Sequence, residues 1–214
     1  LEATLAHKVR RVVYASTWEV YGRAQYEPVD EEHPCNPDHP YNITKFAGDL
    51  LCQSYRELKD LDVIVLRLGT AYGTGMRESA VLPAFILRAI HGEPITINGT
   101  GEQYRQFTHA RDIAQAFRLA VEKNPAHHVF NTVAPERTTI MEMATLVASH
   151  IPTELSTREA RIGDVSPAMI SSHRAAKELG WRAQCYYRSR DITPRAKWAR
   201  THSCQLSSST CSKC

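Results

Sequence analysis

Hydrophobic positions along the chain follow two alternating rhythms. LDVIVLRLG (61–69) is an almost unbroken Leu, Ile and Val run ending in glycine, the pattern of a strand covered on both faces. RRVVYAS (10–16), PITINGTGEQ (94–103) and HHVFNTVA (127–134) predict further strands, the second leading into a Gly-containing turn. Between them, ARDIAQAFRLAVEKN (110–124) and TTIMEMATLVASHI (138–151) carry apolar residues at helical spacing, and the threonines opening the latter can cap it. AVLPAFILRAIHGE (80–93) predicts a helix beyond Pro83, and LEATLAHK (1–8) a helix end. EPVDEEHPCNPDHP (27–40) has four prolines and five acids in fourteen residues and predicts a loop. Strands alternating with helices predict an α/β fold with a mainly parallel sheet.

The segment after that loop, PYNITKFAGDLL and onward to about Lys59, predicts the longest helix. At about 100° per residue, Ile43, Phe46, Ala47, Leu50, Leu51 and Leu58 gather into one apolar stripe, expected to face the core. Tyr41 and Lys45 fall together on the opposite side, so core packing does not account for the pair. An ammonium one turn from a phenol favours the phenolate, which makes Tyr41 a candidate for proton transfer near neutral pH.

Of the 214 residues, 43% are hydrophobic and 23% charged, ordinary for a globular protein. No run approaches the roughly 18 consecutive apolar residues needed to cross a membrane, and the first residues lack the apolar core of a signal peptide. Net charge is +3, but seven of the 26 basic residues and one of the 23 acidic ones fall in 182–214. The remainder is net acidic, which argues against nucleic-acid binding by the body. Cys35 and Cys52 lie in the body and the other four cysteines at the carboxyl end, ending in a C-x-x-C. No folded element is evident around that pair, so no metal site is expected, although a zinc or nucleic-acid module is the third reading of the tail. The body reads as a reduced, cytoplasmic protein.

YASTWEVYG (14–22) is a strand ending in two hydroxyls and running into a turn, and YNITK is a Y-x-x-x-K beginning 24 residues after Thr17. Strand, Ser-Thr, V-Y-G, proline-rich loop and Y-x-x-x-K in this order resemble the active-site signature of the extended short-chain dehydrogenase/reductases, in their NAD-dependent nucleotide-sugar epimerase/dehydratase branch. LRLGTAYGTG, the stretch from Val81 to Phe117, and ARIGDV…KELGW resemble later parts of the same family, so the likeness covers roughly residues 1–181. It implies the C-terminal part of a Rossmann-type parallel sheet plus a smaller α/β substrate-binding region. The corresponding divisions are 1–70 (remainder of the dinucleotide-binding domain, with the catalytic strand and helix), 71–181 (mainly the nucleotide-sugar-binding region, with returning Rossmann elements) and 182–214 (a basic, Cys-containing, disordered tail).

The resemblance implies a catalytic set of Thr17, Tyr41 and Lys45, with Ser16 the neighbouring hydroxyl. Tyr41 would take the proton of a sugar C4 hydroxyl while NAD takes the hydride; Lys45 would hold the nicotinamide ribose. Arg105 and Arg161 match arginines that clamp the substrate diphosphate. Thr70 stands where many relatives carry a substrate-contacting Asn, and Val81 and Pro83 resemble residues flanking the nucleotide base. Asp112 is expected to cap the helix that starts near it.

The function implied is C4 epimerisation of a UDP- or dTDP-linked hexose, of the UDP-glucose 4-epimerase type, by a homodimer. Glu19, two residues after Thr17, resembles instead the acid with which sugar 4,6-dehydratases remove a C5 proton, but Trp18 stands where they carry an Asp. A dehydratase or decarboxylase, and a non-catalytic nucleotide-sugar binder, are the open alternatives. No G-x-x-G-x-x-G or G-x-G-x-x-G occurs in the chain. The family carries that loop in roughly 110 residues ahead of this segment, so the chain reads as a truncated form unable to bind NAD tightly alone. The tail departs from the family too, and reads as an altered ending.

Overall fold

The computed structural model describes residues 1–159 and 168–185. In chain order the elements are α1 (Glu2–Ala6), β1 (Val12–Thr17), a 3-10 turn (Trp18–Tyr21), α2 (Pro40–Lys59), β2 (Val63–Leu68), β3 (Thr70–Tyr72) and α3 (Val81–Ile90). There follow β4 (Ile95–Asn98), β5 (Tyr104–Arg105), β6 (Phe107–His109), α4 (Ala110–Glu122), β7 (Val129–Thr132), β8 (Thr138–Thr139), α5 (Ile140–His150), β9 (Leu155–Arg158) and a π turn (Ala175–Leu179).

The chain forms two units. One comprises Leu1–Gly73, Arg105–Arg137 and, of the described residues, 168–185. Its centre is a parallel sheet in the order β1-β2-β7. The first five residues of β2 are buried, four of them the apolar run Val63–Leu66 and the fifth Arg67. Val63 and Val65 point to one face, with Cys52 of α2 and Leu61; Ile64 and Leu66 point to the other, with Ala116, Leu119 and Ala120 of α4, Phe130 of β7, Leu179 and Trp181. Each of the Val, Leu, Ile and Phe side chains among them contributes on the order of 1.5–3 kcal/mol by leaving water. Loop groups cover the outer edge of β7 and the residue after it: the Glu31 carboxylate accepts from Asn131 N (2.7 Å) and Ser172 Oγ from Val133 N (2.9 Å). Trp181 is buried and donates its indole N–H to the Asp112 carbonyl at 2.8 Å. Of the predicted tail, 182–185 are described: Ala183 is buried, and the backbone N–H of Cys185 donates to the Asp112 carboxylate at 3.0 Å. Residues 186–214, with the C-x-x-C, lie outside the described residues.

The second unit comprises Thr74–Tyr104 and, of the described residues, 138–159. It pairs β4 with β9 in parallel and packs α3 against α5. Thr139 caps α5 as its sequence predicts, in a reciprocal box with Glu142.

Three expectations are corrected. The helix of residues 80–93 starts at Val81 rather than beyond Pro83, because a proline in the first turn removes an N–H with no intrahelical partner anyway. His109, not Asp112, caps α4: its Nδ1 accepts from Arg111 N at 3.1 Å. Most consequentially, α2 does not turn its apolar stripe inward. Ile43, Leu50, Leu51 and Leu58 are 50, 51, 56 and 75% exposed, whereas Asn42, Asp49 and Cys52 are buried. The face carrying Asn42, Lys45, Asp49 and Cys52 is the one laid against β1 and β2, with Tyr41 half-exposed at its start.

Candidate active site

The site is built at the carboxyl end of β1. Its last residues, Ser16 and Thr17, are buried. The Thr17 hydroxyl accepts from Glu19 N at 3.3 Å, which closes the chain into the 3-10 turn. Gly22 ends that turn at φ +63°, and a Cβ there would lie 2.0 Å from the Asn36 carbonyl oxygen, so only glycine fits. The loop then returns to α2, which Pro40 begins and His39 caps, its Nδ1 accepting from Tyr41 N at 3.4 Å.

The start of α2 meets β1 at two places. The Thr17 hydroxyl lies close enough to the Tyr41 phenol to favour its ionised form. One turn on, Lys45 Nζ donates to the Ala15 carbonyl at 2.9 Å, lying 5.9 Å from the Tyr41 ring centroid and 5.5 Å from that of Tyr14. Thr17, Tyr41 and Lys45 are therefore brought together.

The expected easing of Tyr41 toward phenolate is not found. Burial pushes its pKa above the ordinary value of 10, the Glu19 carboxylate adds to the rise, and the nearby Thr17 hydroxyl opposes it. Lys45 does not reverse this: its ammonium is committed to the Ala15 carbonyl, 5.9 Å from the Tyr41 ring centroid. Glu19 is itself perturbed: burial raises its carboxyl, Arg105 and His39 pull it down, and Asp38 pushes it further up. Arg105, in β5, is thus near enough to Glu19 to be felt electrostatically.

The other predicted residues are distributed differently. Ser16 turns toward Asp49, whose ionised form it favours, and its Oγ is buried without a full hydrogen bond. Thr70, half-buried, opens β3 in register with Phe107 of β6. Val81 is the first residue of α3, in the other unit. Arg161 lies outside the described residues. Trp18 packs against the cluster of Tyr21, Val29, Val133 and Ile170, together with Ala168.

Sequence reading misses the polar network beneath the site. Arg67 Nε donates to Asp49 Oδ2 at 3.0 Å and Arg67 Nη1 to the Tyr21 hydroxyl at 2.9 Å. Tyr21 in turn donates to Asn131 Oδ1 at 2.7 Å. Burial lifts Asp49 above the ordinary carboxylate range, against the pull of Ser16, Arg67 and Lys45, and pushes Tyr21 up to about 12. The tyrosine of V-Y-G is therefore a core donor, 1% exposed, rather than a proton-transfer group. The signal in the sequence was the lone Arg67 inside an apolar strand, with Asp49 one turn beyond Lys45.

Chemically, the arrangement offers a phenol and a hydroxyl converging on one small region, an ammonium beside them with two donors beyond the one it uses, and a carboxylate with raised pKa. It lies at the carboxyl end of a parallel sheet, where α/β folds bind ligands. Thr132, in register with Leu68 and through it with Thr17, adds a buried hydroxyl without a partner at the same end. No group of His, Cys, Asp and Glu among the described residues could hold a metal ion, and no described helix is long and apolar enough to cross a membrane.

The sequence matches the model of the NAD dependent epimerase/dehydratase family over residues 1–132. It is 33% identical to the dTDP-glucose 4,6-dehydratase of Streptomyces niveus over 144 residues, covering 67% of this chain and 43% of that protein. It is 31% identical to YtcB of Bacillus subtilis, described as an uncharacterized UDP-glucose epimerase, over 150 residues, covering 69% of this chain and 46% of that one. The chain thus spans less than half the length of either relative. Among solved structures, MoeE5 in complex with UDP-glucose and NAD superposes with a TM-score of 0.80 at 29% identity, over 94% of this chain and 68% of that one. The UDP-glucose 4-epimerase of Thermotoga maritima with UDP-glucose gives 0.79 at 26% identity, over 86% and 62%.

NAD is the cofactor of this family, and the residues present fit one end of it. Lys45, with donors to spare beside Tyr41 and Thr17, suits a ribose next to a reacting ring. The diphosphate end is not furnished, since the sequence holds no glycine-rich phosphate loop. The parallel β1-β2-β7 sheet, the meeting of Thr17, Tyr41 and Lys45 at its carboxyl end and the match over residues 1–132 lead to one conclusion: the chain belongs to the NAD dependent epimerase/dehydratase family.

Proposed function

We propose that these residues form the catalytic centre of a cytoplasmic NAD-dependent 4-epimerase acting on a UDP- or dTDP-linked hexose. The observation that carries this reading is the convergence of the Tyr41 phenol with Thr17, beside Lys45. NAD, when bound, supplies the acceptor and donor of the C4 hydride and a positive charge on its oxidised ring. Tyr41 exchanges the proton of the sugar O4: as phenolate it takes the proton, and as phenol it returns it to the 4-keto oxygen. With its pKa raised, Tyr41 is protonated at neutral pH in this chain and set for the second of these tasks. A cation brought next to it lowers that pKa toward the first. Thr17 hydrogen-bonds the same oxygen and holds Tyr41 in line. Lys45 keeps its hold on β1 and offers its remaining donors to the cofactor ribose. Arg105, and Arg161 outside the described residues, are assigned to the substrate diphosphate, and Thr70 and Val81 to the remainder of the substrate.

Glu19 supports a second reading, a 4,6-dehydratase. A half-buried carboxylate with raised pKa beside Tyr41 is a base suited to removing a C–H proton. Trp18 weighs against it, because the residue beside Glu19 is packed into an apolar cluster and carries no acid. The test is NMR of UDP-glucose and dTDP-glucose incubated with NAD and the longest natural chain bearing these residues. A C4 epimer supports the first reading, a 4-keto-6-deoxy sugar the second, and binding without conversion overturns both.

The reading includes a homodimer, and the exposed stripe of α2 supports a second copy as its occupant. Ile43 and Leu58, Ala47 and Ser54, and Leu50 and Leu51 are each symmetric about the midpoint between residues 50 and 51. An antiparallel pairing of two α2 helices about a two-fold axis sets large side chains against large and small against small, as a self-complementary interface requires.

A further inference from the structure

We propose that Tyr14, which the proposed chemistry does not use, is a positioning residue for Lys45; this rests on the reading that Lys45 serves that chemistry. Tyr14 is the third residue of β1, opposite Val65 of β2. Its side chain leaves the sheet on the α2 face and runs under the helix. The hydroxyl donates to the Lys45 carbonyl at 3.3 Å, and the ring lies 5.5 Å from Lys45 Nζ. One residue thus touches both ends of Lys45: the backbone by hydrogen bond and the ammonium through the face of a ring.

Gly48 shows how closely the seat is fitted. It lies in the interior of a 20-residue helix, where glycine is among the poorest choices. A Cβ at that position would stand 2.1 Å from the Tyr14 hydroxyl oxygen and 2.4 Å from Cζ. Glycine is retained there because the ring passes where a side chain would be. Burial, with Asp49, Cys52 and Tyr41, holds the Tyr14 phenol above its ordinary pKa, so it stays protonated and remains a donor. Tyr14 and Gly48 together fix how far α2 can slide or turn on β1. A slip of one residue moves the helix about 1.5 Å along its axis, enough to break both the Lys45–Ala15 bond and the reach of Tyr41 to Thr17.

The experiment needs neither cofactor nor substrate, so its outcome is independent of whether the proposed activity is found. Lysines are labelled by reductive 13C-methylation and the Lys45 signal is identified by its loss in Lys45→Arg. Tyr14→Leu is expected to move that signal toward the position of exposed lysines, and Tyr14→Phe, which keeps the ring, to retain most of its displacement. In parallel, Gly48→Ala is expected to lower the thermal midpoint in the natural background and to leave it unchanged or raise it in the Tyr14→Leu background. A Lys45 signal that ignores Tyr14→Leu, or a Gly48→Ala effect equal in both backgrounds, overturns the proposal. Should Tyr14→Leu not fold, Gly48→Ala alone decides: it must displace the Lys45 signal, and an unmoved signal refutes the seat.

Discussion

Glu19 raises the pKa of Tyr41: a carboxylate two residues beyond the end of β1 opposes ionisation of the phenol at the start of α2. Burial is the larger cause of the rise and the Thr17 hydroxyl works the other way, so two neighbours on one turn tune the proton affinity of the candidate catalytic group. In 13C-labelled tyrosine NMR, Tyr41 is expected to titrate above 10 in this chain. Glu19→Gln removes an anion and must shift the midpoint down; Thr17→Val removes a donor and must shift it up. Shifts in the opposite directions would contradict the assignment.

Glu19 should also leave a mark on stability. Burial raises its folded-state pKa above the ordinary 4.5, so the native state binds its proton more tightly than the unfolded chain does. Stability attributable to this residue is therefore greatest below pH 4.5 and is lost as pH rises through the folded value. Glu19→Gln is expected to be more stable than the natural protein at neutral pH, with the gain vanishing in acid. Thermal midpoints measured from pH 4 to pH 7.5 check this.

The buried pair of Arg67 and Asp49 should be costly to break from one side. Their side chains are 7 and 5% exposed, and Arg67 also donates to Tyr21. Arg67→Met leaves Asp49 buried without its cation, and a loss of about 3–5 kcal/mol in urea unfolding is expected. Replacing both, as Arg67→Met with Asp49→Leu, should recover much of that loss.

If α2 pairs with its own two-fold copy, light scattering should give twice the chain mass at micromolar concentration. Leu50→Lys places a charge at the centre of the stripe and is expected to give the single mass while the circular dichroism spectrum is retained. A natural protein that is monomeric throughout would contradict the pairing.

The sheet and its covering helices were legible because β2 and α4 state their surroundings directly, one by an unbroken apolar run and the other by apolar residues at helical spacing. The pairing of Tyr41 with Lys45 was legible from spacing, and the place of Thr17 beside them followed from the resemblance to the family. The orientation of α2 was not. An apolar stripe reports that something apolar should cover it, but not what, and the face laid on the sheet hides its fitness in pairs: Asp49 with Arg67, Lys45 with Ala15, Gly48 with Tyr14. Each partner looks unsuited to burial until the other is known. The same reason explains the error over Tyr41. Spacing placed an ammonium one turn away, but only the fold shows it bound to a carbonyl of β1 while Glu19 and burial act on the phenol. Short strands such as β3 and β6 carry too few residues to show an alternation at all.

The central claim is that Tyr41 carries the proton to and from the sugar, and Tyr41→Phe tests it most directly. In the longest natural chain bearing these residues, supplied with NAD and the nucleotide sugar identified by product analysis, the account predicts turnover reduced by roughly 10²–10⁴-fold with nucleotide-sugar binding retained. Turnover within a few-fold of the natural protein would contradict it.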